Sequence, residues 1–207
     1  MTYSLVGFDP KNNVLGVGVV SGSIAVGSRV PWAKYLVGGV ATQAYTNPSL
    51  GPIILGLLEK GYGVEDALMK ALENDLGREY RQVAVLSWNG SYSFYNGKNI
   101  PENYSGYGTR NCVSIANLVV SKNIPYEMCT TFLDNLDQGV SSALLHALEK
   151  GHSIGGDKRG DRSAAILVVG KTDYGILYDK LIDLRIDYSH DPVKDLAKLY
   201  MLYLKNA

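Results

Sequence analysis

The chain has 207 residues, 46% of them apolar and 19% charged, so it can bury a sizeable core and reads as one globular domain, neither disordered nor collagen-like. Twenty basic and twenty acidic side chains cancel to a net charge of zero, which removes the cationic surplus that nucleic-acid phosphates demand. No apolar run reaches the roughly 18 residues of a membrane span, and residues 1–10 have neither a basic start nor a small-residue cleavage site, so a cytoplasmic location is expected, with neither membrane nor nucleic acid as partner.

Residues 3–8 alternate, the run Asp9-Pro10-Lys11-Asn12-Asn13 is turn-forming, and 14–20 is rich in valine and glycine, which predicts a β-hairpin. A glycine- and serine-rich connection over 21–28 leads past Pro31-Trp32 into a second extended stretch, 34–43. Glycines 16, 18, 38 and 39 within these strands predict close approach of another layer. Asn47-Pro48 marks a helix start, because Asn satisfies free amides and Pro has none to leave unsatisfied. That helix carries Ile53, Ile54, Leu57 and Leu58 on one face and stops at Gly61. A second helix follows with Val64, Ala67, Leu68, Ala71 and Leu72 at the 3.6 period, and Gly77 closes the region.

Strands over 83–88 and 91–95 flank Asn89-Gly90, a hairpin signal because both turn residues tolerate positive φ, and 111–120 reads as a further apolar strand. Helices are predicted over 125–136 and 140–150, with Gly151 as the stop. The strand at 164–169 is apolar enough to be buried on both faces, whereas 181–187 alternates and has one wet face. Asp191-Pro192 opens a terminal helix running to about residue 204. Strands do not alternate singly with helices, which argues for antiparallel sheets with helices outside, an α+β domain. Two helix pairs need two apolar faces, and two stacked sheets supply them.

Several catalytic patterns fail on context. Gly151-His152-Ser153-Ile154-Gly155 matches GxSxG, but a helix precedes it where a nucleophile elbow needs a strand. Gly22 to Arg29 has phosphate-loop spacing with Ser28 where the lysine belongs. His146, His152 and His190 have no metal-ligand spacing, and no metal or organic cofactor is expected. Cys112 and Cys129 are too far apart for a CxxC pair and read as two buried thiols, a disulfide between them being the alternative. Of fifteen tyrosines, Tyr45, Tyr62, Tyr104 and Tyr107 fall in loops or turns, where some are placed to line a cleft or an oligomer contact and most read as half-buried surface aromatics. A homodimer is the default assembly on base rates.

Thr2 is different in kind. Initiator methionine is commonly removed ahead of a small residue, and an N-terminal Thr carries its own base, an α-amine of reference pKa about 7.7–8.0 beside the hydroxyl. The stretches Val30-Pro31-Trp32-Ala33, Gly39-Val40-Ala41-Thr42-Gln43-Ala44, Thr46-Asn47-Pro48-Ser49-x-Gly51-Pro52 and Gly77-Arg78-Glu79-Tyr80-Arg81-Gln82-Val83 lie in order along the chain. Gly155-Gly156-Asp157-Lys158-Arg159-Gly160, Ser163-Ala164-Ala165 and Asp183-Leu184-Arg185-Ile186-Asp187 continue them. Together they resemble a prokaryotic family, domain of unknown function 1028, placed among the N-terminal-nucleophile hydrolases, the class of the proteasome subunits.

That resemblance implies a four-layer αββα sandwich of two antiparallel sheets flanked by helices. It implies an amide-bond hydrolase acting on a small amide, ureido or peptide-like substrate, with a catalytically silent binding or assembly protein as the alternative. By position, Thr2 would be the nucleophile and Lys34, near the third strand, the cation that lowers its pKa. Ser21 stands where the proteasome-like pattern has an aspartate supporting that lysine. Asn47 and the amides of 43–47 would face an oxyanion at a helix N-terminus. Asp157 or Asp161, in the charged glycine loop 155–163, would orient the nucleophile.

Overall fold

The computed structural model describes residues 2–175 and 177–206. The first two strands, β1 (Thr2–Asp9) and β2 (Val14–Ser21), form the expected hairpin with Thr2 opposite Ser21. All eight residues of β1 are buried, because it lies inside a sheet covered on both faces. The expected strand over 34–43 is instead two, β3 (Pro31–Lys34) and β4 (Gly38–Ala44). The turn between them is set by Leu36, a non-glycine residue at φ +62°, which no periodicity reveals.

Helix α1 (Leu50–Glu59) begins later than Asn47-Pro48, since Asn47 Oδ1 accepts the Ser49 amide at 3.2 Å in a turn that precedes the helix. Then come α2 (Val64–Glu73) and the hairpin β5 (Arg81–Ser87) and β6 (Tyr92–Asn96) around Gly90 at φ +84°. A strand that the pattern did not predict, β7 (Ser105–Thr109), pairs with β8 (Cys112–Asn117). Its Gly106 lies under the Phe94 ring from the other sheet, where a Cβ would meet the ring at 2.6 Å, so glycine replaces the β-branched residues that announce strands.

Helices α3 (Ile124–Asp134) and α4 (Val140–Ser153) follow. The second does not stop at Gly151, whose missing side chain instead lets the helix settle on the Tyr3 ring, 2.9 Å from where a Cβ would sit. Strand β9 (Ser163–Val169) is buried along its whole length, and β10 (Lys180–Ile186) exposes Asp183 and Arg185, as the alternation implied. The last helix is α5 (Pro192–Asn206), opened by Asp191, whose Oδ1 accepts the Lys194 amide at 3.4 Å.

The strands form two antiparallel sheets, one ordered β10-β9-β2-β1-β8-β7 and the other β3-β4-β5-β6. Val6, Leu15, Val17, Ala41, Ala84 and Ile115 fill the space between the sheets. Helices α3, α4 and α5 cover the outer face of the larger sheet through residues such as Tyr3, Met128, Leu144 and Leu196. Helices α1 and α2 cover the smaller sheet through Ile54, Leu68 and Val85. The result is the four-layer αββα sandwich. Among the described residues, no helix is long and apolar enough to cross a membrane.

Cys112 and Cys129 are bonded, not free thiols, and the bridge ties β8 to α3 with Cα atoms 5.8 Å apart. Closing a loop of 17 residues removes chain entropy worth about 3 kcal/mol from the unfolded state. Reductant is therefore expected to lower the urea unfolding free energy by about 2–4 kcal/mol. A Cys112→Ala/Cys129→Ala variant should unfold at the reduced midpoint and show no response to reductant.

Candidate functional site

Thr2, at the start of β1, sits in register between Ser21 of β2 and Asn117 of β8. Strand alternation directs all three side chains toward the space between the sheets. Thr2 Oγ1 lies 3.1 Å from Ser21 Oγ, a hydroxyl pair in which either can donate. Ser21 Oγ also accepts the Ser23 amide at 3.0 Å. A cavity of about 190 Å³ opens on this pair and is lined by Thr2, Ser21, Ser23, Arg29, Tyr45 and Thr46 among others. The Thr46 amide donates to no acceptor among the described residues.

Beneath Thr2 lies a chain of buried amides. Gln43 Nε2 donates to the Thr2 carbonyl at 3.1 Å and to Gln82 Oε1 at 2.7 Å, while Gln43 Oε1 accepts Ser4 Oγ at 2.7 Å. Gln82 Nε2 donates to the Ala116 carbonyl at 3.0 Å, which fixes its Oε1 as an acceptor, and Asn117 Nδ2 donates to that Oε1 at 2.9 Å. Asn117 Oδ1 is consequently left as a buried acceptor with no donor among the described residues. A buried unmet acceptor costs about 1–3 kcal/mol, so its place beside Thr2 is notable.

The glycine loop converges on the same strand ends. Asp157 Oδ2 accepts the Gly22 amide at 2.8 Å, and its carboxylate is chelated by Arg159 through Nε at 3.1 Å and Nη2 at 3.0 Å. Asp161 Oδ2 accepts the Tyr3 hydroxyl at 2.6 Å and contacts His152 Nδ1 at 2.7 Å, while Oδ1 accepts the Asp157 amide at 3.1 Å. Burial first, and then the Asp161 carboxylate, push the Tyr3 phenol well above its ordinary range and keep it a donor. The Arg162 amide donates to the Ser21 carbonyl at 2.8 Å. Asp157, through the Gly22 amide, and Asp161, through the Tyr3 hydroxyl, thus strap the loop over β1 and β2, and neither has a hydrogen bond with the Thr2 hydroxyl among the described residues.

Lys34 and Asn47 do not join this cluster. Lys34 pairs with Gly38 at the opposite end of β4 from Gln43, roughly 16 Å of strand away, and its Nζ binds Glu59 Oε1 at 2.6 Å in a half-exposed ion pair. The expected role of Lys34 beside the nucleophile is corrected accordingly. Asn47 is also placed elsewhere: it is not in the cavity lining, and its Nδ2 donates to Asp75 Oδ2 at 3.2 Å. Tyr45 lines the cavity as anticipated, whereas Tyr107 lies within β7. A larger cleft of about 560 Å³ beside Tyr62 and Trp88 holds no comparable arrangement, since Ser87 Oγ there donates to Asn89 Oδ1. Among the described residues, no group of His, Cys, Asp and Glu could hold a metal.

The model of the family of unknown function DUF1028 matches residues 2–196. The chain belongs to the DUF1028 family. A solved DUF1028 structure, protein SPO2555 from Silicibacter pomeroyi, is 27% identical with a TM-score of 0.88 over 97% of this chain and 84% of that one. Anbu, an ancestral β-subunit from Yersinia bercovieri, is 9% identical with a TM-score of 0.40 over 100% of this chain and 96% of that one. No curated protein matches the chain.

In this DUF1028 sandwich the loop after β4 is held by one buried ion pair. Arg81 Nε and Nη2 bind both oxygens of Asp75 at 2.8 and 3.0 Å, and Arg81 Nη1 donates to the Tyr45 carbonyl at 2.6 Å. The Arg81 hydrogen bonds, aided by Asn47 and the Gly77 amide, bring the Asp75 carboxyl down to about 2 against the cost of burial. A depressed carboxyl contributes stability that is complete above its unfolded pKa of about 3.9 and is lost as pH falls toward 2. Stability is expected to drop by up to about 2 kcal/mol across that window from this group, and Asp75→Asn should remove that share of the acid dependence in urea titrations at stepped pH.

Tyr3→Phe leaves the Asp161 carboxylate without its hydroxyl donor. It should cost about 1–3 kcal/mol in the same assay, while Tyr45→Phe, in the cavity wall, should be near neutral.

Proposed function

We propose that Thr2, once Met1 has been removed, is the nucleophile of an amide-bond hydrolase acting on a small amide, ureido or peptide-like substrate. Met1 lies outside the described residues. The observation that carries the reading is the placement of the Thr2 hydroxyl at a small polar cavity, hydrogen-bonded to Ser21 and on a strand end whose backbone is held by Gln43 and the 155–163 loop.

In this reading Thr2 Oγ attacks the substrate carbonyl as its proton passes to the α-amine of the same residue. The tetrahedral oxyanion meets the uncommitted Thr46 amide. The C–N bond then breaks as the α-ammonium returns the proton to the leaving nitrogen. Water, deprotonated by the same amine, hydrolyses the ester on Thr2 and restores the enzyme. Asn117 and Ser21 are positioning residues on either side of Thr2, and Asp157 and Asp161 hold the strand ends.

A second reading, a binding or assembly protein on the same scaffold, draws on one observation: Lys34 is paired with Glu59, far from Thr2. Intact mass and N-terminal sequencing, followed by exposure to a small β-lactone that acylates N-terminal threonine, separate the two. The expected result is a chain starting at Thr2 that gains one acyl mass, with labelling lost in Thr2→Ala and largely kept in Thr2→Ser. Uniform retention of Met1, or equal labelling of Thr2→Ala, would overturn the hydrolase reading.

A further inference from the structure

We infer that the cavity beside Thr2 takes a small ligand bearing a carboxylate, held by Arg29, so that the substrate class is an acidic amide. This rests on the preceding reading only for the word substrate. The binding preference follows from the cavity itself.

Arg29 is the one charged residue in the cavity lining, which is otherwise built from hydroxyls, Val26, Val30, Ala44 and backbone. A guanidinium has five N–H donors, and this one makes a single protein hydrogen bond among the described residues, from Nη2 to the Ile24 carbonyl at 3.1 Å. No carboxylate ion-pairs with it there. The nearby acids are engaged elsewhere: Asp157 with Arg159 and the Gly22 amide, and Asp187 with Arg185 at 2.9 and 2.8 Å.

The residue is nonetheless well anchored. Its amide donates to the Val26 carbonyl at 3.2 Å, and its own carbonyl accepts Trp32 Nε1 at 3.1 Å. The backbone is fixed, and the partly exposed guanidinium keeps N–H donors that an anion can take up. A carboxylate does so bidentately, matching the planar fork, and the surrounding Thr2, Ser21, Ser23 and Thr46 hydroxyls suit the polar remainder of a short amide. The volume, about 190 Å³, is below the roughly 300–1,000 Å³ of drug-sized sites, which restricts the ligand to a few carbons beyond the reacting amide.

The test compares N-acetylglycine with its uncharged counterpart N-acetylglycinamide by NMR titration, on wild-type protein and on Thr2→Ala, which cannot turn either over by the proposed route. N-acetylglycine should bind at least about tenfold more tightly, and its affinity should weaken with added NaCl. Arg29→Gln should abolish the preference, and Arg29→Lys should recover part of it, since charge is kept and the fork is lost. Thermal melts of both variants establish that they are folded.

Equal binding of the two probes, binding of neither at millimolar concentration, or a preference that survives Arg29→Gln would overturn the assignment. Acylation of Thr2 without a carboxylate preference would sink the Arg29 assignment alone. A preference that depends on Arg29 in a protein whose Thr2 is never acylated would sink the hydrolase reading and leave a carboxylate-binding pocket.

Discussion

A primary amide can sit in the dry space between two sheets only if its hydrogen bonds are made there, and Gln43 makes them with both. Its side chain is fully buried and reaches the Thr2 carbonyl, the Ser4 hydroxyl, the Ile115 carbonyl and Gln82. Three of those partners belong to the larger sheet and the fourth to the smaller. Sliding one sheet against the other by a single residue would strand several buried polar groups, each worth about 1–3 kcal/mol. The apolar core between the sheets tolerates such slips more readily, because dispersion and burial have little directionality. The amide chain Gln43–Gln82–Asn117 therefore sets sheet-to-sheet register at the end where Thr2 lies, and the site inherits that register.

The opposite side of Thr2 is fixed by a different means. Asp157 and Asp161 are buried carboxylates whose lone pairs are filled by backbone amides, the Tyr3 hydroxyl, His152 and Arg159. Satisfied in this way, they act as knots that hold an irregular, glycine-bearing loop against two strand ends, where regular ladder bonds have run out. Positive φ at Gly156, +55°, lets the chain turn sharply enough for the Asp157 amide to reach Asp161. The cavity wall is thus rigid on both sides, by amides between the sheets and by carboxylates at the loop.

Elements with a strong period were legible in the sequence, among them the first hairpin, α2, the β5–β6 hairpin and β9, because one buried face dominates their composition. Features governed by a single contact were not. The turn at Leu36, strand β7 with its ring-covered Gly106 and the continuation of α4 through Gly151 each depend on what lies across the gap, which no local window contains. By position along the order of elements, Thr2 and Ser21 fall opposite each other and the loop of Asp157 and Asp161 falls at the same strand ends. Lys34 was misplaced by the same method, since an apparent single strand over 34–43 hid a turn that sends Lys34 to the far end of the sheet. Gln43, Gln82 and Asn117 left one readable trace, polar residues at inward-facing positions of otherwise apolar strands. Arg29 left none, because what sets it apart, the lack of an acidic partner among the described residues, has no sequence pattern.

An N-terminal threonine whose third-strand lysine is held far away needs another way to keep its amine neutral. On the proposed reading the base is the α-amine, and it serves only in its neutral form. A cation held close would favour that form by repelling the ammonium, but Lys34 is paired with Glu59 at a distance, and Arg159 is paired with Asp157. Arg29 is the cation that lines the cavity itself. On that reading a cation in the wall would favour the neutral amine and steady an oxyanion, until a substrate carboxylate arrives and cancels it. Binding of an acidic ligand would then raise the amine's proton affinity as the reaction begins, which favours proton transfer from Thr2 Oγ at the moment of attack. On that reading a single guanidinium serves both recognition and proton transfer, and among the described residues it is the one charged group in the cavity wall.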